Sequence, residues 1–584
     1  LFFLIISLFL SACSQLPDKK ISSPNVLLIL TDDQGYGDLS IHENDSIDTP
    51  TLDNLANEGA RLDQFFVTPL CAPTRASLLT GRYHLRTGTY WVTRGTENMR
   101  SEEVTIAEVF KANNYATGCF GKWHNGAHYP YNPMGQGFDR FVGFCGGHWS
   151  NYFNANLQSQ DTFISTKGFI TDVLTDSAIS FIRQNKSQPF LCYVPYNAPH
   201  GPFQVPDKYF DKYKNKGLTD RNAAIYGMVE NIDDNVNRLL ATLNEYGLAE
   251  NTIVVFMTDN GPNGNRFNGG MRGWKAHVHE GGVRVPAFIR WPGKIPAGLV
   301  LQEQTAVMDI LPTLIDLCDI KPPTMPKSDG ISLKSLLSGK SDSINNRTIF
   351  THVSRTAEKR PYPGTARTHQ YRLVANTESP ELYDMINDPS ETRNIASEKP
   401  ELLQKLHNQY LSWYQEVTRE NLPIPGIPIG YHEAPLVNLP AHEASISGVI
   451  TYKHNRNGWA HDWIINWKNT TDKMEWDIEV IRPGKYQVAM LYTALPANLG
   501  SEVRVTVGEQ SVRKVVSEAF IPQISSNLDR IKGRPEALDQ TWARMNIGTL
   551  DLSPGKQKIV LDATKIVGGM VGECKGLVIT WMGK

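Results

Sequence analysis

Three short apolar runs limit what this chain can fold into more than any other feature of its sequence. The runs are NVLLIL at 25–30, PFLCYV at 189–194 and TIVVFM at 252–257. Runs of this length are typical of strands that are buried on both faces of a parallel sheet. Apolar residues also recur at helical spacing in the stretches 49–60, 221–247 and 402–417. Because strands alternate with helices, the sequence predicts an α/β fold with a mainly parallel sheet sandwiched by helices.

The last quarter of the chain has a different pattern. Residues 421–444 are rich in proline and lack periodicity, so we interpret them as a linker or an extended surface segment. Beyond them, MEWDIEV, GKYQVAML, EVRVTVG and KQKIVLDA have the character of strands, and RPG and SPG mark turns. This pattern predicts a separate β-sandwich at 445–584, which is a common domain size.

The overall charge argues against one class of partner. The 584 residues carry a formal net charge of −2, and the sequence pI is about 6.8. No global field favours nucleic acid, so any anionic substrate must be recognised by a local group of cations. The seven cysteines show no CxxC spacing of a zinc site. Cys192 lies inside an apolar run and is expected to remain a buried thiol.

The N-terminal residues predict export. The first ten, LFFLIISLFL, are apolar except for Ser7 but too few to span a bilayer, which is typical of a signal-peptide core. The following Leu10-Ser11-Ala12-Cys13 resembles the lipobox of bacterial lipoproteins. That resemblance implies a signal peptide at 1–12, a lipid on Cys13, and anchoring to a bacterial membrane, facing the periplasm or the cell surface. An ordinary cleavage site beside an incidental cysteine is the alternative, and it also predicts export.

Oxygen-bearing side chains follow two of the apolar runs. Asp32 and Asp33 come after the first run, and Asp259 and Asn260 come after the third. Ligand sites gather at the carboxyl ends of strands in open α/β sheets. Carboxylate and amide oxygens suit Ca²⁺ or Mg²⁺, and the choice between the two ions stays open. Each pair alone could be a polar turn, but together they predict a metal site.

The stretch CAPTRASLLTGR at 71–82 places a cysteine at the start of a predicted helix. Pro73 suits the first turn of a helix, and Gly81 suits the residue just past its end. Cys71 is therefore expected at or just before the helix N-terminus. The helix dipole there favours negative charge and lowers the pKa of a thiol. A buried structural cysteine is the alternative.

Taken together, these motifs resemble those of the type I sulfatases, in the alkaline phosphatase superfamily. The residues that carry the resemblance are, in chain order, Asp32-Asp33-x-Gly35-x-Gly37-Asp38, Cys71-x-Pro73-Thr74-Arg75, Thr80-Gly81-Arg82, Gly121-Lys122-Trp123-His124, Pro199-His200, Asp259-Asn260-Gly261, Gly273-x-Lys275 and Glu280-Gly281-Gly282, followed by LYDMINDPSETRNIA at 382–396. Thr74 stands where many members have serine. The resemblance covers residues 24–420. It implies a catalytic α/β domain at 24–345 and a small C-terminal subdomain at 346–420.

The resemblance also implies a mechanism. In this family a formylglycine-generating enzyme oxidises the motif cysteine, here Cys71, to an aldehyde whose hydrate attacks sulfur. One divalent cation, Ca²⁺ rather than Mg²⁺ by preference, is implied to bind Asp32, Asp33, Asp259, Asn260 and the formylglycine of residue 71. His200 and Lys275 are implied to act on the leaving oxygen, and His124 on the second hydroxyl of the hydrate. Arg75 and Lys122 are implied to hold the formylglycine and the sulfate charge.

Aromatic and basic residues indicate a sulfated sugar as the substrate. His148 lies in the aromatic stretch GHWSNYFN, and His352, Arg355 and Arg372 lie in a basic stretch at 351–372. Rings stack on sugars and guanidinium groups pair with anions, so these four residues are predicted to contact the substrate. A solvated loop is the alternative for the basic stretch. The sandwich tryptophans are either sugar-stacking or core residues, and they are Trp459, Trp463, Trp467, Trp476 and Trp542.

The sequence thus predicts an exported sulfatase that acts on a sulfated polysaccharide. An algal glycan such as ulvan is the first choice; carrageenan, fucoidan and glycosaminoglycans remain open. Two alternatives belong to other functional classes. One is a formylglycine-dependent phosphonate or phosphodiester hydrolase, and the other is a non-catalytic, glycan-binding lipoprotein.

Overall fold

A computed structural model of the chain describes residues 23–160, 162–340, 344, 347–354, 359–454, 459–525, 528–534 and 538–583. The predicted signal peptide at 1–12, the lipidation site Cys13 and the basic residue Arg355 lie outside these ranges. Within them, no helix has the length and apolar character needed to cross a bilayer.

A ten-stranded mixed sheet forms the centre of the first domain, and its strand order is β11-β2-β10-β9-β1-β8-β4-β5-β6-β7. The five adjacent strands from β9 to β5 are parallel to one another. On one side β10 pairs antiparallel with β9, and on the other side β6 pairs antiparallel with β5 and β7 with β6. The sheet is thus parallel at its centre, and its edge strands β11 and β2 also pair in parallel. Its strands are β1 Asn25–Thr31, β2 Ala60–Leu62, β4 Ala116–Lys122, β5 Arg140–Phe144, β6 Asn156–Ser159, β7 Thr162–Ser165, β8 Phe190–Pro195, β9 Thr252–Thr258, β10 Ala287–Arg290 and β11 Leu299–Leu301.

Helices cover both faces of this sheet, as the apolar runs predict. Along β1, Leu27 and Ile29 pack into one core with α4 and α6, whereas Val26 and Leu28 pack into a second core with α2 and α8. A central strand must be apolar on both faces because each face is covered. The helices are α1 Pro50–Asn57, α2 Cys71–Thr80, α3 Ile106–Ala112, α4 Ile170–Gln184, α5 Asp207–Asn215, α6 Asp220–Glu245, α7 Glu280–Val283, α8 Ile310–Cys318, α9 Lys334–Leu337 and α10 Pro400–Val417.

A smaller antiparallel sheet follows in the chain, with strands β13 Ile349–His352, β14 Gly364–Arg367, β15 Tyr371–Ala375 and β16 Glu381–Asp384. The apolar face of α10 packs on it through Leu406, Tyr410 and Trp413. A two-stranded pair, β3 Phe65–Phe66 and β12 Thr305–Ala306, lies in the first domain.

Two six-stranded sheets form a β-sandwich at the C-terminal end. One contains β17 Ile427–Ile429, β19 Ser445–Ser447, β22 Lys473–Val480, β24 Glu502–Val507, β25 Gln510–Val515 and β27 Gly555–Lys565. The other contains β18 Leu436–Pro440, β20 Thr451–Tyr452, β21 Ile464–Ile465, β23 Gly484–Thr493, β26 Ala543–Leu552 and β28 Glu573–Trp581. The tryptophans Trp467 and Trp476 are buried in its core, which is the second of the two readings of these residues, and Trp463 is also buried.

The prediction of a linker at 421–444 is wrong for Ile427–Ile429 and Leu436–Pro440, which are strands. β17 pairs with β22 and β18 pairs with β28, so this proline-rich segment supplies two strands of the sandwich. Ile429 and Leu439 point into the sandwich core. Proline lacks an N–H group but is tolerated in strands at a sheet edge, which is where β17 lies.

Candidate active site

Four neighbouring strands of the central sheet end at one place. The carboxyl ends of β1 and β9 lead into Asp32 and Asp259, which a backbone hydrogen bond from Asp259 N to Thr31 O holds side by side at 3.1 Å. β4 ends in Lys122, two residues before His124, and the loop after β8 carries His200. Parallel strands bring these sequence-distant side chains to a common edge, as in other open α/β sheets.

Three buried carboxylates and one amide form the floor of the site. The side chains of Asp32 and Asp259 are fully buried, and that of Asp33 is 1% exposed. Asn260 Nδ2 donates to Asp33 Oδ1 at 2.8 Å. Lys122 Nζ lies 2.5 Å from Asp32 Oδ2, and Lys275 Nζ lies 2.6 Å from Asp33 Oδ1. These contacts partly neutralise a cluster that burial alone would make unfavourable.

The floor fits a divalent cation. Asp32 Oδ1 and Asn260 Oδ1 are buried oxygens without a hydrogen-bond partner. Ligand atoms of Asp32, Cys71 and Asp259 lie within 4.8 Å of one another, as do those of Asp32, Asp33 and His200. Burial and the neighbouring Asp32 charge raise the pKa of Asp259 to about 7. A bound Ca²⁺ or Mg²⁺ would coordinate these unpartnered oxygens and offset the negative charge of the carboxylates.

Cys71 is the first residue of α2, with Leu70 as the N-cap and Gly81 as a left-handed C-cap at φ 68°. This agrees with the predicted helix. The predicted pKa of its thiol is wrong, however, because burial raises that pKa above its ordinary value. Only 2% of Cys71 is exposed, so desolvation of a thiolate outweighs the helix dipole. An unmodified Cys71 is therefore protonated near neutral pH and poorly suited to attack an ester.

Arg75 lies behind the carboxylates. Its side chain is fully buried, its Nη2 donates to Asp259 Oδ2 at 2.8 Å, and its Nη1 donates to the carbonyl of Lys122 at 2.6 Å. Arg75 therefore joins the turns after β9 and β4. Lys275 contacts Asp33 and also lines the cavity, whereas Arg75 and Lys122 are not among the cavity-lining residues. Arg75 and Lys122 are placed to hold the floor together rather than to face an open space.

His124, His200 and Lys275 face the cavity beside Cys71. His124 Nε2 lies 2.8 Å from the carbonyl of Val92, which leaves its buried Nδ1 without a hydrogen-bond partner. Burial lowers the pKa of His124 well below its usual value, so the ring is neutral. His124 also has φ 61°, and such strain in a residue with a side chain is concentrated at functional sites.

His200 and Lys275 both contact Asp33. His200 Nδ1 lies 2.7 Å from the carbonyl of Gly201, which directs Nε2 toward Asp33 Oδ2 at 3.7 Å. Burial lowers the pKa of His200. Burial alone would also lower the pKa of Lys275, but Asp33 and its neighbours raise it above the usual range. A neutral imidazole and a charged ammonium therefore lie on one side of the cavity.

The cavity above the floor has a volume of about 760 Å³. His148, predicted to contact substrate, is in its wall. Trp459, which the sequence left open between a sugar-stacking and a core role, is also in the wall. So are several residues that we did not predict: Trp91, Arg221, Asn263, Trp274 and Arg534. Trp274 could have been found, because it is the unspecified position of the Gly273-x-Lys275 motif. Arg534 lies in no motif, and only the folded chain brings it here.

The prediction that His352 and Arg372 contact substrate is wrong. His352 is 1% exposed, its ring centre lies 5.1 Å from that of Tyr414, and its Nε2 lies 2.8 Å from the carbonyl of Arg360. Arg372 is fully buried, and its Nε donates to Glu280 Oε2 at 3.0 Å. Neither residue lines the cavity. Arg367 of the same stretch also contacts Glu280, so these basic residues neutralise a buried carboxylate rather than an exposed ligand.

Comparisons with known proteins agree with this site. The family model "Sulfatase" matches residues 24–320, and the model "N-sulphoglucosamine sulphohydrolase, C-terminal" matches residues 270–416. Both matches end before the β-sandwich. N-acetylgalactosamine-6-sulfatase of Canis lupus familiaris is 32% identical over 370 residues, which cover 57% of this chain and 69% of that protein. Human arylsulfatase A is 31% identical over 451 residues, covering 66% and 86% of the two chains.

A solved structure extends the comparison to a bound oligosaccharide. The crystal structure of Ps i-CgsB in complex with k-i-k-neocarrahexaose matches with a TM-score of 0.63 and 29% sequence identity. The match covers 67% of this chain and 93% of that chain. The similarity therefore spans nearly the whole of that protein and leaves about a third of this chain outside it.

Proposed function

This chain belongs to the sulfatase family, and we propose that it hydrolyses sulfate esters of a sulfated glycan by means of a formylglycine made from Cys71. One observation carries the proposal. Cys71, His124, His200 and Lys275 line a single cavity whose floor is a buried cluster of hard oxygen ligands. This grouping supports the proposal because the reaction needs a nucleophile, a base, an acid and a cation site close together.

The modification of Cys71 is supported by its surroundings. A buried thiol with a raised pKa is a poor nucleophile, whereas an aldehyde at the same position can add water and present two hydroxyl groups. The oxidation would be carried out by a formylglycine-generating enzyme. The N-terminus of α2 favours negative charge that develops on the attacking oxygen.

A divalent cation, Ca²⁺ or Mg²⁺, would be held by Asp32, Asp33, Asp259 and Asn260, and when bound it would stabilise negative charge on the sulfate. The protein fixes this floor rigidly. Arg75 orients Asp259, and Asn260 donates to Asp33, while Asp32 Oδ1 and Asn260 Oδ1 keep no hydrogen-bond partner. Lys122, 1% exposed, adds a positive charge directly behind Asp32.

In the first proposed step, a hydroxyl of residue 71 gives its proton to the Asp259 carboxylate and its oxygen attacks sulfur, while the bond from sulfur to the sugar oxygen breaks. The leaving oxygen takes a proton from the charged Lys275, and the neutral His200 lies with it beside Asp33. In the second step, His124 removes the proton of the remaining hydroxyl through a neutral ring nitrogen. The carbon–oxygen bond to sulfate then breaks, the aldehyde re-forms, and one water restores its hydrate.

The glycan part of the proposal rests on the cavity wall. Trp91, Trp274 and Trp459 line the cavity, and such rings stack on the apolar faces of sugars. Relatives with named substrates act on N-acetylgalactosamine-6-sulfate, and Ps i-CgsB binds a neocarrahexaose. Algal glycans, ulvan first, and glycosaminoglycans are the substrates to test. We also propose that the chain is exported and anchored by a lipid on Cys13, which the Leu10-Ser11-Ala12-Cys13 motif supports.

Ion chromatography of released sulfate and phosphate tests the proposal. The chain is produced together with a formylglycine-generating enzyme and incubated with Ca²⁺, sulfated glycans, an aryl sulfate and a phosphodiester. Cys71→Ala is the matched blank. We expect sulfate from at least one glycan and from none with the blank. Phosphate release alone would replace the proposal with a phosphodiester hydrolase. Glycan binding without release, from a chain whose residue 71 is an aldehyde, would replace it with a binding protein.

A further inference from the structure

The β-sandwich forms part of the wall of the active-site cavity. Trp459 and Ala460 come from one of its loops, and Ile531, Gly533 and Arg534 come from another. These residues share the cavity with Cys71, although more than 380 residues separate Cys71 from Trp459 in the chain. Because both family models end at or before residue 416, the family match does not account for this part of the wall.

Each of the two sandwich loops is tied to the first domain beside the cavity. His461 Nε2 lies 2.8 Å from the carbonyl of His148, and the ring of His461 meets the edge of Trp149 at 4.5 Å. In the other loop, Arg530 N donates to the carbonyl of Phe203 at 3.0 Å, and Arg530 Nη2 donates to the carbonyl of Val205 at 2.6 Å. The cavity-lining residues of the sandwich are therefore fixed next to the catalytic groups.

Trp459 is placed to contact a sugar near the reacting sulfate. Its ring centre is 5.8 Å from that of His148, which in turn lies 6.0 Å from His200. Trp274, which is 41% exposed, lines the same cavity from the first domain. Partly exposed aromatic rings in a sugar-sized cavity offer stacking surfaces, whereas the buried tryptophans of the sandwich core do not.

Two guanidinium groups lie on this side of the cavity. Arg534 lies 4.4 Å from the ring centre of Phe203, and Arg221 lies 4.8 Å from the same ring. Their charges are thus within about 10 Å of each other, which is the Debye length at 0.1 M salt. The carboxylate of Asp529 lies 3.8 Å from Arg534 and offsets one of the two charges. Both guanidinium groups line the cavity, so an anionic ligand bound there would lie close to two positive charges.

From these contacts we propose that the β-sandwich supplies a sugar subsite next to the sulfate-cleaving centre. Trp459 stacks on the sugar that adjoins the sulfated one. Arg534, together with Arg221, binds an anionic substituent of that neighbouring sugar, which is a second sulfate or a carboxylate. The inference rests on the proposed function and deepens it. The proposed substrate is an oligosaccharide with two anionic groups. The enzyme removes one of them, a sulfate, and binds the other.

Point variants of the full chain test this subsite. Trp459→Ala and Arg534→Gln are compared with the matched controls Trp581→Ala and Arg513→Gln, which change the same residue types in the sandwich away from the cavity. Kinetics are measured on an aryl sulfate and on the sulfated oligosaccharide that the parent chain cleaves. We expect each cavity variant to lose about tenfold or more in kcat/KM on the oligosaccharide, mainly through KM, and about twofold or less on the aryl sulfate. Both controls should match the parent.

Further arms separate folding, the two anions and the proposed function. Trp459→Tyr keeps a ring and should recover most of the oligosaccharide activity, which a merely misfolded Trp459→Ala would not explain. Three oligosaccharides are compared, whose neighbouring sugar carries a sulfate, a carboxylate or neither group. Arg534→Gln should slow cleavage of the oligosaccharide that carries the recognised anion and leave the uncharged one unaffected, which identifies the anion. Unchanged oligosaccharide kinetics, or equal losses on both substrates, would overturn the subsite alone. No sulfate release by the parent from any substrate would overturn the proposed function and the subsite with it.

Discussion

Replacing Arg372 with methionine should destabilise the first domain and leave the chemistry of the folded enzyme unchanged. Arg372 is fully buried, and its Nε donates to Glu280 Oε2 at 3.0 Å. Its Nη1 donates to the carbonyl of Val278 at 2.9 Å. Methionine fills much of the space but removes the charge. Glu280 then keeps Arg367, whose Nε lies 3.3 Å away, as its nearest counter-charge.

The size of the effect follows from the ionisation of Glu280. Burial alone would raise the pKa of this carboxyl, but Arg367 and Arg372 lower it from 4.5 to about 2. At about 1.4 kcal/mol per tenfold change, the charged form gains about 3 kcal/mol on folding. Removal of one partner of a buried ion pair typically costs about 3–5 kcal/mol. Because Arg367 remains, we expect a loss of about 3 kcal/mol in the free energy of unfolding at pH 7.

The sign of the pH dependence is also determined. The pKa of Glu280 is lower in the folded chain than in the unfolded chain, so its stabilising effect is complete above pH 4.5. It is lost as the pH falls toward about 2. The difference in stability between the parent and Arg372→Met should therefore be largest at neutral pH and shrink in acid.

Urea unfolding followed by circular dichroism, combined with kinetics on a sulfated oligosaccharide, measures both quantities. Arg393→Met is the matched control, because the Arg393–Glu398 pair is also short, at 2.8 Å, but the two side chains are 71% and 50% exposed. We expect the control to lose less than about 1 kcal/mol. Unchanged stability of Arg372→Met with a lowered kcat/KM would refute this reasoning and restore Arg372 as a substrate-binding residue.

Three other predictions follow from the site. Ca²⁺ should raise the thermal midpoint of the parent chain but not that of Asp259→Asn in scanning fluorimetry, and equal shifts would contradict the metal floor. His124→Ala should lower kcat by about 100-fold or more and leave sulfate on residue 71, visible as added peptide mass; slow turnover without added mass would argue against its role in the second step. Burial raises the pKa of Glu97 to about 8 and that of Glu443 to about 7, so stability should fall as the pH rises from 4.5 to 8. Glu97→Gln should flatten this fall in urea unfolding, and an unchanged slope would rule out Glu97 as its source.

The sequence predicts the central strands and the floor of the site well because both depend on local patterns. NVLLIL and TIVVFM are apolar on both faces, and strand β1 is indeed covered on both sides by helices. Each run ends at a polar turn, and parallel pairing of β1 with β9 brings Asp32 and Asp259 together. Asp33 and Asn260, the other two residues of the floor, directly follow Asp32 and Asp259 in the sequence.

The errors concern properties that depend on long-range packing. A high content of proline suggests a linker at 421–444, but proline is compatible with the edge strand β17. A basic stretch suggests an anionic ligand for Arg372, but its partner Glu280 lies 92 residues earlier in the chain. The helix dipole suggests a low pKa for Cys71, but complete burial has the larger effect. In each case the decisive neighbour is distant in sequence.

The cavity wall contributed by the β-sandwich could not be predicted for the same reason. Nothing in the sequence around Trp459 separates it from the other sandwich tryptophans. Only the docking of two loops against the first domain distinguishes it from the buried Trp467 and Trp476. Those loops are held by hydrogen bonds to the backbone carbonyls of His148 and Phe203. Backbone carbonyls are present in every residue, so such contacts leave no signature in the sequence.

The most direct test of the account is the relation between sulfate release and the state of residue 71. Preparations with different degrees of maturation are made by varying the supply of the formylglycine-generating enzyme. The fraction of aldehyde is measured by the mass of the peptide that contains residues 71–75, and the rate of sulfate release is measured on the same samples. The account predicts a rate proportional to the aldehyde fraction, with no activity at zero conversion. Substantial sulfate release by a chain that retains the Cys71 thiol would contradict it.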